Sequence, residues 1–171
     1  MSGHSLRLEP LAPEHYEELF RFEKDNRRWF EKFVPPRPAS YEEFPPFTAA
    51  MNQLLEEQNR GESLFFLVFQ EGRLAGRINL TEIQDNTAEL GYRIGETHIG
   101  RGIASLALTQ LAEEICPARG ITTLSAMTTD KNKASRRVLE KNGFTQTKRE
   151  KEAVILKGET MDFIHYRKEL S

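Results

Sequence analysis

The chain has 171 residues, with 24 Lys or Arg and 26 Asp or Glu for a net charge of −2 at neutral pH. That length allows one ordinary domain burying roughly 70% of its unfolded surface, the balanced charge argues against a dedicated nucleic-acid binder, and a lone Cys116 excludes an intrachain disulfide framework. No apolar run approaches the roughly 18 residues of a membrane span, and Met1 to Pro10 lacks a signal-peptide core, so a cytoplasmic globular chain is expected.

Ser5–Leu8 reads as a short strand. Pro13 suits a first helical position, and Tyr16, Leu19 and Phe20 follow at helical spacing. From Asp25 to Pro46 the residues Pro35, Pro36, Pro38, Pro45 and Pro46 predict an irregular loop, rich in aromatics at Trp29, Phe30, Phe33, Tyr41 and Phe44. A second helix is expected from Phe47 through Met51, Leu54, Leu55 and Gln58, ending at Gly61. Leu64–Phe69 is continuously apolar, the pattern of a strand buried on both faces.

Turn signals at Glu71-Gly72 and Asp85-Asn86 bound two alternating strands, Leu74–Thr81 and Ala88–Ile94, so Ser63–Gly95 reads as a three-stranded antiparallel meander. Helical spacing returns at Gly102 with Ala104, Ala107, Leu108, Leu111 and Ile115, and stops near Pro117 and Gly120. Ile121–Met127 is a strand, and Asn132–Asn142 a short helix closed by Gly143. Phe144–Leu156 and Glu159–Lys168 are two more strands around Lys157-Gly158. This order implies a mixed sheet with helices on both faces, in one domain over residues 1–171.

The small net charge hides an uneven distribution. Residues 1–70 carry 12 acidic and 8 basic side chains, whereas residues 131–151 have a local balance of +6. Such a run is either a solvated helix face or an anion site. Ile99-Gly100-Arg101-Gly102-Ile103-Ala104 lies between a strand and an amphipathic helix. It aims backbone N–H groups and a helix N-terminus at one point, as phosphate sites do, and Arg101 adds a charged donor; a plain glycine turn fits the same residues. The Gly-Lys-Ser/Thr ending of a Walker loop and the third glycine of a dinucleotide fingerprint are both missing.

Downstream, Asn132-Lys133-Ala134-Ser135 opens the short helix and Leu139-Glu140-Lys141-Asn142-Gly143-Phe144 closes it. With the glycine loop, these segments resemble the acetyl-CoA signature of the GNAT N-acetyltransferases, and the element order is similar over nearly the whole chain. Within that family, Asn26-Arg27, Phe33 and Pro35 resemble the early loop of the ribosomal-protein alanine/serine acetyltransferases. The resemblance implies the GNAT fold: mixed α/β, with a central mixed, largely antiparallel sheet and helices on both faces.

It also implies acetyl-CoA as cosubstrate. The contacts fall at Tyr92 and Ile94 on a strand; at Ile99, Gly100, Arg101, Gly102, Ile103 and Ala104 in the loop and helix start; and at Asn132, Ser135 and Arg136 on the later helix. Arg136 and Arg137 are directed by the same resemblance to the 3′-phosphate. Two positions depart from the family pattern. Ile99 stands where Gln or Arg is usual, leaving its backbone for the pyrophosphate, and Leu139 stands where many relatives carry a tyrosine general acid.

By resemblance, Glu89 in Ala-Glu-Leu-Gly-Tyr is the catalytic base, directly or through water, with Gly91 leaving room for substrate. The alternative is a structural glutamate paired with Arg93 or Arg77. Ser135 is the candidate proton donor to the CoA sulfur, or a first-turn residue under an Asn132 cap. Trp29, Phe30 and Phe33 either line the acceptor cleft or pack in the core. His98 is a turn residue within reach of phosphate, His4, His15 and His165 lack ligand spacing so that no metal is expected, and Cys116 reads as core.

The resemblance implies a primary amine as acceptor. An α-amine of pKa about 8 is roughly a tenth deprotonated at neutral pH, whereas a lysine near 10.4 is neutral only to about one part in a few thousand. A protein N-terminus, such as that of a ribosomal protein, is therefore the favoured acceptor. Aminoglycosides or polyamines are the small-molecule alternative, and a non-catalytic acyl-CoA-binding module the non-enzymatic one. Oligomeric state, a homodimer included, is left open by the residues.

Overall fold

The computed structural model describes residues 6–170. Seven strands form one sheet: β1 (Leu6–Pro10), β2 (Leu64–Gln70), β3 (Arg73–Gln84), β4 (Thr87–Ile94), β5 (Thr123–Thr129), β6 (Thr145–Leu156) and β7 (Glu159–Glu169), in the order β1-β2-β3-β4-β5-β7-β6. All neighbours are antiparallel except β4 and β5, which are parallel. The mixed sheet expected from the element order is therefore present. Of the first expected strand, Ser5 lies outside the described residues.

The apolar run on β2 explains the layering. Leu64, Phe66 and Val68 enter one core with Leu80, Leu90, Leu108, Leu124, Leu139 and Ile164. Phe65, Leu67 and Phe69 enter a second core with Tyr16, Leu19, Phe22, Phe47 and Met51. Alternation sends successive side chains to opposite faces, so one strand serves two hydrophobic layers. The second core is covered by α1 (Tyr16–Asp25), α2 (Arg27–Phe30) and α3 (Phe44–Asn59). The first is covered by α4 (Ile103–Gln110), which runs on as a π turn over Leu111–Ile115 into α5 (Cys116–Ala118), and by α6 (Lys133–Lys141).

Three local expectations are corrected. The proline-rich loop holds a short helix, α2, and a 3-10 turn at Ala39–Tyr41. The next helix begins at Phe44 rather than Phe47, because Pro45 and Pro46 sit in its first turn, where a missing N–H costs nothing. Finally, β5 begins at Thr123, since Ile121 is consumed in the connection, its N–H bonded to the Cys116 carbonyl at 2.9 Å.

The feature that positions the site is a parting of strands. β4 pairs with β5 only from Thr87–Thr123 to Leu90–Ala126. Beyond this, β4 continues to Ile94 paired with β3 alone, while β5 continues to Thr129 paired with β7 alone. Backbone groups of Gly91–Ile94 are left facing a gap. No helix among the described residues is long and apolar enough to cross a membrane.

Candidate active site

The gap opens into a cleft of about 440 Å³, within the range of small-molecule sites. One wall is the glycine loop and the start of α4. Gly100 and Gly102 have φ of 76° and 71°, the left-handed region, which costs an ordinary side chain about 1–2 kcal/mol. A Cβ at either would meet nothing within 4 Å, so dihedral angle rather than space demands glycine here. No side chain caps α4, and its first turn closes with the Leu106 N–H donating to the Gly102 carbonyl at 3.0 Å. Helix geometry leaves the N–H groups of Ile103, Ala104 and Ser105 without intrahelical acceptors, and all three residues line the cleft.

The opposite wall is the start of α6. Asn132 caps it: its Oδ1 accepts from the Ser135 N–H at 3.2 Å. Across the cleft from β4, the Tyr92 hydroxyl lies 3.2 Å from Ser135 Oγ and donates to the Ser135 carbonyl at 3.3 Å. Burial pushes the Tyr92 phenol up to about 12, against the small opposing effect of Ser135. Tyr92 therefore keeps its proton at neutral pH. Leu139 is 1% exposed within the core under α4, so the place of the family tyrosine is filled by packing.

Most of the sequence-derived cofactor positions meet in this cleft. Tyr92, Ile94, Ile99, Gly100, Gly102, Ile103, Ala104, Asn132 and Ser135 all line it, as do Trp29 and Phe33 from the early loop. Arg101 and Arg136 do not. Arg136 turns away, donating to the Tyr166 hydroxyl at 3.2 Å and the Asp130 carbonyl at 3.3 Å. The basic run also divides: Lys131 pairs with Glu159, Arg149 with Asp162 and Asp130, and only Arg137 and Lys141 line the cleft. Helical periodicity separates Arg136 from Arg137 and Lys141, a signal already in the sequence.

Glu89 does not line the cleft. It lies on the other face of β4 from Tyr92 and Ile94, opposite Thr81 on β3 and Ser125 on β5. Neither arginine considered as its partner reaches it: Arg77 bonds Glu23, and Arg93 stacks on Phe30. Burial first, then neighbouring Glu82, raises the Glu89 carboxyl above its ordinary value, and His165 partly opposes them. Gly91, next on the same face, has open space where a side chain would be.

The early loop is held over the cleft by Asn26. Its Nδ2 donates to the Phe22 carbonyl at 3.0 Å, and its Oδ1 accepts from the Glu96 N–H at 2.8 Å. This ties the end of α1 to the segment following β4 and sets the Trp29–Phe33 pair, 5.0 Å between centroids, beside the strand gap. Phe30, the third aromatic expected there, joins them in the lining, as do Val34 and Arg93; no pattern in the sequence marks the last two. Beneath the loop, Glu23 is buried between Arg77 and Arg37, both bonded to it at 2.9 Å. Burial alone would raise the Glu23 carboxyl, but Arg77 and Arg37 outweigh it and hold it below the usual range. Among the described residues, no three His, Cys, Asp or Glu side chains gather as a metal site.

Comparisons with known proteins agree with the fold and give the family. A family model described as an acetyltransferase (GNAT) domain matches residues 5–145. The ribosomal-protein-serine acetyltransferase of Escherichia coli is 30% identical over 143 residues, covering 82% of this chain and 79% of the relative. The crystal structure of a ribosomal-protein-S5-alanine acetyltransferase from Vibrio fischeri superposes with a TM-score of 0.90 at 17% identity, covering 98% of this chain and 94% of the other. RimL, a ribosomal L7/L12 α-N-protein acetyltransferase in complex with coenzyme A, gives 0.86 at 22% identity, covering 99% and 97%.

Proposed function

The chain belongs to the GNAT acetyltransferase family, and from that premise we propose that it transfers the acetyl group of acetyl-CoA to the N-terminal α-amine of a protein. The observation that carries this reading is the convergence, in one cleft, of an uncapped helix start and a hydroxyl pair. An uncapped helix start with three free N–H groups suits a pyrophosphate. Arg137 and Lys141 supply the charge for a further phosphate. The open edge of β4 from Gly91 to Ile94 offers hydrogen-bond partners to the amides of a pantetheine arm. The ribosomal-protein relatives support a protein acceptor.

In the proposed reaction a neutral amine attacks the thioester carbonyl, the C–N bond forms and the C–S bond breaks. The amine's proton passes along a chain of waters to Glu89, which stands about 10 Å along the strand from Tyr92 and on its other face. The departing thiolate accepts a hydrogen bond from Ser135 Oγ, which Tyr92 orients. A thiol of pKa about 8.5 leaves readily as thiolate, so a hydrogen bond suffices, and a phenol at about 12 does not surrender its proton to it. The thiolate takes up its proton as CoA departs. Transfer is direct, in a ternary complex; Cys116 is fully buried, with burial pushing its thiol up to about 11, and serves as packing.

Two measurements test the reading. Acetyl-CoA at a hundred times its Kd is expected to stabilise the fold by about 2.7 kcal/mol; no melting shift at millimolar acetyl-CoA sinks it. Thiol release should then be followed with N-terminal peptides, polyamines and aminoglycosides, peptides being favoured. For Glu89 the sign is definite: with its carboxyl raised, activity falls as pH drops through a value above the ordinary carboxylate range. Glu89→Gln is expected to remove that acidic limb, and an unchanged profile overturns its role as base.

A further inference from the structure

Below the early loop lies a second, smaller hollow, bordered by Glu23, Arg27, Glu31, Arg37, Glu42 and Arg93. Its charges can be paired off one by one. Glu23 Oε1 accepts from Arg37 Nε at 3.1 Å, and Oε2 from both Arg37 Nη2 and Arg77 Nη1 at 2.9 Å. Arg27 takes Glu31 at 3.3 Å and Glu42 at 3.2 Å. Lys24, the remaining cation of the rim, donates to the Glu42 carbonyl at 3.1 Å. Arg93 is the cation left over: among the described residues no carboxylate receives it.

Its position makes that costly. Arg93 lies directly opposite Arg77 across the β3–β4 ladder, and like charges so placed repel. Its guanidinium stacks on the Phe30 ring at 4.9 Å. Burial, with Arg37 and Arg77 adding to it and Glu23 and Tyr41 only partly opposing, lowers its pKa to about 10. Arg93 is half-buried, so part of the cost of withdrawing an unbalanced charge from water falls on it. Arg93 is also the residue, with Phe30, that borders both the small hollow and the main cleft. It shares a strand face with Gly91, beside which space is open.

We propose that Arg93 recognises an oxyanion, a carboxylate or phosphate, carried by the acceptor near its reactive amine. This rests on the acetyl-transfer reading and narrows its acceptor class. The amine lies at the strand gap by Gly91, and the anion sits against Arg93 and the Phe30 edge of the hollow. Two strand residues span roughly 7 Å, and an arginine side chain adds about as much. An acidic side chain two to four residues from a peptide N-terminus covers that distance, as does a compact amine bearing its own carboxylate or phosphate.

The test compares acceptors matched in shape and differing in charge. One arm uses peptides beginning with Ser and carrying Asp or Asn at positions two to four. The other uses glycine against glycinamide and phosphoethanolamine against ethanolamine. Compared per neutral amine, because a nearby carboxylate or phosphate raises the amine pKa and thins the reactive form, the acidic member of a pair is expected to gain about tenfold in kcat/KM, expressed in KM, as a charged hydrogen-bonded pair provides. Arg93→Gln is expected to bring the pair within about twofold, and Arg93→Lys to keep part of the preference. Preference in the peptide arm identifies an acidic protein N-terminus as the source, and preference in the second arm a small anionic amine.

Equal treatment of charged and neutral acceptors in both arms overturns the proposal, as does a preference that survives in Arg93→Gln. Calorimetry of peptide binding to the CoA complex makes the same comparison without turnover, and CoA binding itself reports that each variant is folded. A protein that binds CoA and prefers acidic peptides but transfers nothing keeps the oxyanion site and sinks acetyl transfer. One that transfers acetyl without charge preference does the reverse.

Discussion

Two helices begin on the same cleft and resolve their unsatisfied N–H groups in opposite ways. At α4 the chain arrives through two left-handed glycines and leaves the first turn bare. At α6 the chain supplies its own acceptor, Asn132 Oδ1, and spends the first turn on fixing Ser135. A bare start leaves its N–H groups open to water or to an anion from outside, whereas a cap engages one of them and can hold a side chain in place. On the proposed reading, pyrophosphate binding goes to the start of the first helix and chemistry to the start of the second, although both carry the dipole of a helix N-terminus.

The sharpest way to break that comparison places the same charge at the same position of both helices. Ala104 and Ala134 are each the second residue of their helix and each lines the cleft. A glutamate there stabilises a helix start by about 0.3–1 kcal/mol. Ala104→Glu is therefore expected to keep or raise Tm without ligand. Against a bound phosphate it acts the other way: two charges 4 Å apart repel by about 4 kcal/mol at an effective dielectric of 20. CoA affinity is expected to fall on the order of 100-fold or more in calorimetry. Ala134→Glu sits one turn from Arg137, beside a start already capped, and is expected to cost less than about tenfold. Equal losses at both positions erase the distinction.

The second prediction removes the hydroxyl that the capped helix holds. Ser135→Ala is expected to lower kcat by about 10–100-fold with CoA affinity nearly unchanged, since a hydrogen bond to a charged group contributes about 1.5–3 kcal/mol. Tyr92→Phe is expected to do slightly less, because it orients rather than donates to sulfur. The double variant should then lose little more than Ser135→Ala alone, the mark of two residues acting as one unit. Additive losses in single-turnover acetyl transfer dismantle the pair.

This asymmetry was partly readable in the sequence. Gly100 and Gly102 before an apolar stripe announce the bare start, and Asn132 three residues before Ser135 announces the capped one, because both signals are local. What joins them is not local. Tyr92 meets Ser135 across 43 residues, and Arg93 is left single only because Glu23, 54 residues from Arg77, is already occupied. The parting of β4 from β5 depends on which strand each half pairs with, and periodicity says nothing of that. Pro45-Pro46 misled for another reason: the same residues that stop a helix also start one.

The smallest effect is the most discriminating for α6. Asn132→Ala removes the cap and is expected to cost about 1 kcal/mol, or roughly 2–4 °C in Tm for a chain of this size. Were Asn132 only a cap, activity would follow stability and hardly change at 25 °C. Because its Oδ1 bonds the Ser135 amide, loss of the cap also frees the first turn that carries Ser135 Oγ, and kcat is expected to drop several-fold beyond the loss of stability. Asn132→Asp separates the two effects, since a carboxylate caps as well as an amide does. Tm is then expected to hold, and kcat to hold with it wherever CoA saturates the enzyme. A variant that keeps its Tm while losing kcat at saturation shows that Asn132 itself touches the reacting groups, and the division between a binding helix and a chemical one then runs through Asn132 rather than Ser135.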